Sequence, residues 1–181
     1  AKESDYKWSA GDTIRTAIGQ SYNNYTSALM SKYVATLANG GTRYSMHFLN
    51  KITTNDGKIE EEYQPKVESK IEIKKENLDA IFRGMFLVTT GPRGTLRSYF
   101  KDFPVNVAAK SGTAQQSSKR SEHTTFVAFA PLEDPQISVC VIIPFGNGTT
   151  GPAPKVAKAA ISEYLKLDYE SELKSYDTLL H

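Results

Sequence analysis

Apolar residues recur at helical spacing in three stretches of the chain and at strand spacing in the regions between them. Thr26 precedes Leu29, Tyr33, Val34 and Leu37, and Asn39-Gly40-Gly41 closes the run. That pattern predicts a helix of about four turns with the threonine as its cap. Tyr44, Met46, Phe48 and Ile52 fall on one face of an alternating stretch, which Asn55-Asp56-Gly57 turns back into residues 58–63 as a hairpin. Residues 66–74 read as charged and irregular. Leu78, Ile81, Phe82, Met85 and Val88 mark a second long helix that stops near Thr90-Gly91-Pro92, and a short helical piece around residues 96–100 leads into Pro104.

Three strands are then predicted, at residues 105–115, 124–130 and 136–143. The last two, joined across 131–135, should pair antiparallel. The third is apolar on both faces after Ser138, as expected of a central, doubly covered strand. A loop at 146–151 feeds a final helix from Ala153 to Leu165, with Pro152 and Pro154 in its first turn and Ala157, Ile161, Tyr164 and Leu165 as its inner stripe. Residues 1–8 show no strand or helix start, and the tail after Leu167 is polar.

Composition narrows the class without naming it. A chain of 181 residues, 39% hydrophobic and 23% charged, has the length of one domain or a large part of one and the apolar content to bury a core. No repeat or linker divides it. The formal charge is +2 with dispersed lysines and arginines, which leaves no electrostatic footprint for nucleic acid. No apolar run approaches the length of about 18 residues needed to span a membrane, and no signal peptide is present. The chain starts at Ala1 and reads as a piece of something longer. Cys140, the single cysteine, lies between two valines and reads as an inert core thiol rather than a nucleophile.

The chemistry concentrates at Lys110-Ser111-Gly112-Thr113, inside a strand-like run. Alternation along a strand sends Lys110 and Gly112 to one face, Ser111 and Thr113 to the other. Gly112 leaves the lysine's face open to a ligand backbone. A cation beside hydroxyls suits a substrate carboxylate, and the Thr113 N–H is placed to donate to an oxyanion. Gln115, two residues further on the Thr113 face, is a candidate substrate contact or an ordinary strand-end polar residue. On its own the four-residue motif is short enough to be a solvated surface strand.

Several segments in a fixed order change that balance. Residues 16–26 (Thr-Ala-Ile-Gly-Gln-Ser-Tyr-Asn-Asn-Tyr-Thr), residues 33–41 ending in Ala38-Asn39-Gly40-Gly41, residues 110–115 and residues 126–131 (Phe-Val-Ala-Phe-Ala-Pro) resemble the C-terminal half of a class B penicillin-binding protein transpeptidase domain, most nearly of the 2B type. The resemblance covers nearly the whole chain. It implies an α+β fold, an antiparallel sheet flanked by helices on both faces, with the lysine strand beside the active-site cleft. It also implies an enzyme that crosslinks peptidoglycan by serine acyl transfer from D-alanyl-D-alanine and is acylated by β-lactam antibiotics. Lys110 and Thr113 take catalytic roles, and Lys110, Ser111, Gly112, Thr113 and Gln115 bind substrate. No cofactor and no metal are implied. The location implied is the extracytoplasmic face of a bacterial cell membrane, through an N-terminal anchoring segment outside this chain.

The departure from the family pattern is large. The nucleophile sits in an S-x-x-K motif and a second motif is S-x-N, both upstream of everything matched here. Residues 1–181 therefore read as the half of the domain lacking both, with the upstream half of the same domain as a partner. Ser4-Asp5-Tyr6-Lys7, Ser171-Glu172-Leu173-Lys174 and Ser21-Tyr22-Asn23 match by letters but not by position. His47, His123 and His181 are too scattered for a Ser-His-Asp triad, and no His or Cys cluster has metal spacing. His47 reads as an exposed strand residue, and His123 as a turn residue or a rim contact. Two other functions use the same strand: a hydrolytic relative (a D,D-carboxypeptidase or β-lactamase), and a module that binds β-lactam or a partner without turnover.

Overall fold

A computed structural model gives the architecture, describing residues 7–20, 23–114, 121–146 and 151–168. The chain opens with helix α1 (Ala10–Ala17), which the apolar pattern did not announce because its signal is polar. Asp12 at the third helical position accepts from the Ser9 backbone N–H at 2.8 Å, and the Ser9 hydroxyl donates to the same carboxylate at 2.6 Å. This reciprocal capping fixes the first turn of a helix that leaves Ile14 exposed. Helix α2 (Ser27–Ala38) starts as expected, with the Thr26 hydroxyl accepting from the Leu29 N–H at 3.1 Å. Its buried stripe is Met30, Val34 and Ala38; Tyr33, assigned to that stripe from the sequence, is exposed.

Four short strands follow: β1 (Thr42–Tyr44), β2 (Lys51–Thr53), β3 (Ile59–Glu62) and β4 (Val67–Lys70). β2 and β3 make the expected hairpin, but the long alternating stretch does not exist as one strand. β1 pairs instead with β4, inside the segment expected to be irregular. The result is a nested arm, β1–β4 at its base and β2–β3 further out. Every residue of β2, β3 and β4 is exposed, so alternation here marks no buried face. Charge hid β4 in the sequence: Val67-Glu68-Ser69-Lys70 is held by backbone pairing to β1 and by ion pairs of Glu68 with Lys32 at 2.6 Å and Arg43 at 2.9 Å, not by apolar side chains. At the base, Gly41 has φ 110° and lies so close to the Ile71 carbonyl that no side chain fits, while its own carbonyl accepts from the Ile71 N–H at 2.9 Å.

Helix α3 (Lys75–Thr90) and the single turn α4 (Arg97–Phe100) lead into the main sheet, and α5 (Ala153–Leu165) ends the described chain. The sheet has β5 (Ala108–Ala114), β6 (His123–Ala130) and β7 (Ile137–Ile143) in the order β5–β6–β7, all antiparallel. The central, doubly covered strand is therefore β6 and not the strand after it. β7 is an edge among the described residues, and its apolar side chains are only partly covered. On one face of β6, Phe126, Ala128 and Ala130 join Leu96, just before α4, Phe100 of α4, and Ala157 and Ile161 of α5. On the other, Val127 and Phe129 join Val34, Phe82 and Met85 of α2 and α3. Ile81 and Tyr164, expected inside, are exposed, because each helix turns a narrower stripe inward than its apolar content suggests. Helices thus cover both faces of an antiparallel sheet, the α+β architecture expected from the resemblance.

Phe126 is fully buried and stacks on Phe100 with ring planes 6° apart, whereas Phe48 on the arm is fully exposed. Phe126→Ala should cost about 3–5 kcal/mol in denaturant unfolding of the full-length protein. Phe48→Ala should stay within about 0.5 kcal/mol.

Candidate functional site

Strand β5 pairs with β6 along one side only, so its other edge is free of strand partners among the described residues. The register fixes which way each side chain points. Ala108 lies in the α2/α3 core and Ala109 in the α4/α5 core, so Lys110 and Gly112 follow the first and Ser111 and Thr113 the second. That is the alternation expected from the sequence. Beside the free edge runs a groove of about 840 Å³, whose walls are Lys110 to Thr113, the Gly84–Val88 side of α3, the loop of Gly91, Pro92, Arg93, Gly94 and Thr95, and Ile18 just past α1. Among the described residues no acidic side chain lines it.

Each wall is held by a specific contact. The Thr89 hydroxyl, deep in the core, donates to the Val107 carbonyl at 2.7 Å and ties the end of α3 to the start of β5. The loop after α3 folds back on it: the Gly91 N–H donates to the Leu87 carbonyl at 2.9 Å and the Leu96 N–H to the Val88 carbonyl at 3.1 Å. Past α1, the Asn23 amide donates to the carbonyls of Thr16 and Gln20, at 2.8 and 3.2 Å. The asparagine of the S-x-N letter match is therefore a turn clamp.

At the strand itself, Lys110 is exposed and its ammonium donates to the Ser111 carbonyl. Ser111 is buried. The Thr113 hydroxyl oxygen is buried with no hydrogen-bond partner among the described residues, a costly state for a polar atom. A side chain at Gly112 would meet Thr125 only at ordinary contact, 3.6 Å or more, so internal packing does not demand glycine there. Gln115 lies outside the described residues, as do Ser4, Ser21, Ser171 and His181.

The remaining candidates stand away from the groove walls. His47 is exposed but not in a strand: it stacks on Tyr63 at 3.5 Å, and its Nδ1 lies 2.7 Å from the Leu49 carbonyl. His123 opens β6, where its Nδ1 accepts from the Phe145 N–H at 3.3 Å and fastens the turn after β7. Burial pushes the Cys140 thiol above its ordinary pKa, the opposite of what a nucleophile needs. Among the described residues no three His, Cys, Asp or Glu side chains are grouped to hold a metal ion. Sequence reasoning missed the loop of Gly91 to Thr95 as a wall; Gly-Pro and Arg-Gly read there only as a helix stop.

An antiparallel sheet covered by helices on both faces, with Lys-Ser-Gly-Thr on an edge strand beside a groove, is the architecture of the serine acyl-transferases that react with β-lactams. More narrowly, the chain belongs to the penicillin binding protein transpeptidase domain family, whose model matches residues 2–163. Penicillin-binding protein 2B of Streptococcus pneumoniae strain R6 is 31% identical over 171 residues, covering 88% of this chain and 25% of the relative. The peptidoglycan D,D-transpeptidase MrdA of Escherichia coli K12 is 33% identical over 174 residues, covering 88% and 27%. A solved structure of the pneumococcal protein superposes with a TM-score of 0.77 at 29% identity, covering 91% of this chain and 28% of that one. The chain spans about a quarter of the length of these curated relatives.

Thr89→Val keeps the shape and strands the Val107 carbonyl in the core. It should destabilise the full-length protein by about 1–3 kcal/mol, measured by urea unfolding. Thr90→Val, at an exposed neighbour, should have a smaller effect.

Proposed function

We propose that this chain is the C-terminal half of a peptidoglycan D,D-transpeptidase domain and supplies the substrate-binding strand of its active site. The observation that carries this reading is the placement of Lys110, Ser111, Gly112 and Thr113 on an edge strand that lines an acid-free groove. Membership of the transpeptidase family, and a relative named as a peptidoglycan D,D-transpeptidase, support the reaction class.

In this reading the Lys110 ammonium, with the Ser111 and Thr113 hydroxyls, receives the terminal carboxylate of a stem peptide ending in D-alanyl-D-alanine. A charge-assisted contact of this kind is stronger than a neutral hydrogen bond. The buried, unpartnered Thr113 hydroxyl supports the assignment, because a ligand oxygen would satisfy it. The Thr113 N–H donates to the oxyanion that forms on the attacked carbonyl. Gly112 lets the substrate backbone approach, and Gln115 extends the contact.

The nucleophile is a serine of the upstream half. It attacks the carbonyl of the penultimate D-alanine, an ester forms, the peptide C–N bond breaks, and the last D-alanine leaves with a proton on its nitrogen. An amine of a second stem peptide then attacks the ester and the serine departs with its proton restored. A β-lactam is opened by the same attack, but its nitrogen stays tethered, so the acyl-enzyme persists. The apolar open edge of β7 and the exposed Trp8, Ile14 and Ile18 around α1 are the surfaces that suit the upstream half. No helix among the described residues is long and apolar enough to cross a membrane. In this reading the domain works at the extracytoplasmic face of the cell membrane, held by an anchoring segment outside this chain.

This chain alone should take no label from a fluorescent penicillin, and adding the upstream half should restore labelling. In the complete domain Lys110→Ala should sharply slow acylation, while Cys140→Ser should leave its rate unchanged. Equal losses at matched folding would sink the lysine assignment. Stable labelling of the isolated chain would put a nucleophile within it.

Thr113 is assigned to act through its main chain as well as its hydroxyl. Thr113→Ala keeps the N–H, whereas Thr113→Pro removes it, and losing one oxyanion donor costs on the order of 10²–10³ in rate. Acylation rate constants of the two variants, each checked by thermal melt, should differ by at least about tenfold. Matching losses would assign the contribution to the hydroxyl.

A further inference from the structure

The groove holds a second cation that the acyl-transfer chemistry does not use. Arg93 sits on the loop wall facing the same space as Lys110, is exposed, and makes no ion pair or hydrogen bond with a described residue. An arginine just beyond a helix often serves to cap it, because the last carbonyls carry partial negative charge. Arg93 does not take that role here. The Phe86 carbonyl accepts from the Thr90 hydroxyl, Leu87 from the Gly91 N–H, and Val88 from the Leu96 N–H. The guanidinium makes no hydrogen bond to a carbonyl of this helix end.

The loop that carries Arg93 is also built to hold still. A side chain at Gly94 would meet the Leu87 and Val88 carbonyl oxygens at 2.5 Å, and one at Gly91 would meet the Leu87 carbonyl at 2.6 Å. Both glycines are needed for the loop to lie on the end of α3. The Gly94 N–H donates to the Gly91 carbonyl at 2.9 Å across Pro92 and Arg93, and Leu96, fully buried, anchors the far end. A loop held in this way adds little backbone ordering cost when its cation binds. The acids closest along the α3 wall, Glu76 and Asp79, line an adjoining hollow with Arg83, and Asp79 is paired with Lys75.

We propose that Arg93 is a substrate-binding residue that grips a second carboxylate on the acyl donor, separate from the terminal carboxylate assigned to Lys110. Two cations in one groove with no acidic wall set up a positive field that favours a doubly anionic ligand. The planar guanidinium matches a carboxylate in two parallel hydrogen bonds, which a lysine cannot reproduce. The volume of about 840 Å³ lies within the range of pockets that enclose ligands larger than a dipeptide end. The donor class is therefore a peptide with an acidic side chain or free carboxyl upstream of its D-alanyl-D-alanine terminus.

This inference rests on the transpeptidase reading, and two penicillins separate them. Benzylpenicillin carries the ring carboxylate alone, and α-carboxybenzylpenicillin adds one carboxylate on the side chain. In the full-length protein, Arg93→Gln should slow acylation by α-carboxybenzylpenicillin about tenfold and leave benzylpenicillin within about twofold, with Arg93→Lys between. Arg93→Glu should widen the gap, and thermal melts check that each variant is folded. An equal change for both compounds, or no change for either, overturns the second-carboxylate role while leaving the transpeptidase reading intact. Failure of the unsubstituted protein to be acylated by either compound overturns the parent reading and this one with it.

Discussion

The structure depends on β6 being covered on both faces and paired on both edges. Phe126, Ala128 and Ala130 look into one core, Val127 and Phe129 into the other, and β5 and β7 flank the strand. A slip of one residue would turn every one of these side chains to the wrong side. Because β5 is registered against this strand residue by residue, the direction of Lys110 is fixed by the burial of Phe129 and Phe126 rather than by anything at the lysine itself. Precision at the edge is inherited from the centre.

The edge is then enclosed by contacts of a different kind. Apolar packing sets β5 against α3, but single polar contacts place the walls: the Thr89 hydroxyl on the Val107 carbonyl, the glycine loop on the last turn of α3, and Asn23 across the end of α1. These bonds are few and directional, so they constrain position more tightly than burial does. Lys110 and Arg93 both line the groove they leave, and among the described residues no acid does. In the acyl-transfer reading, those cations are what an anionic peptide meets first.

The surface of the sheet is uneven in character. An apolar edge strand with no partner invites pairing with another chain, and β7 presents such an edge among the described residues. The chain spans about a quarter of the length of its curated relatives. The arm of β1 to β4 differs in character, since its strands carry charged and exposed side chains and rely on backbone pairing and on the Glu68 ion pairs to Lys32 and Arg43.

Local signals were enough wherever the cause was local. Thr26 announces its helix because a threonine hydroxyl can reach the N–H three residues on, and Gly91-Pro92 ends α3 because proline cannot continue a helix. The lysine motif was legible because strand alternation is a property of the backbone, and the family order of segments named the class. Other features had no local cause. β4 forms from a charged segment because β1 offers it a partner, and α1 forms through a polar cap that no apolar period reports. β6 is central, and not β7, because sheet order is settled by which helices cover which strand. The groove was beyond the sequence for the same reason: Ile18, Arg93 and Lys110 are far apart along the chain, and the packing of α3 on β5 sets the loop of Arg93 and the strand of Lys110 around one groove.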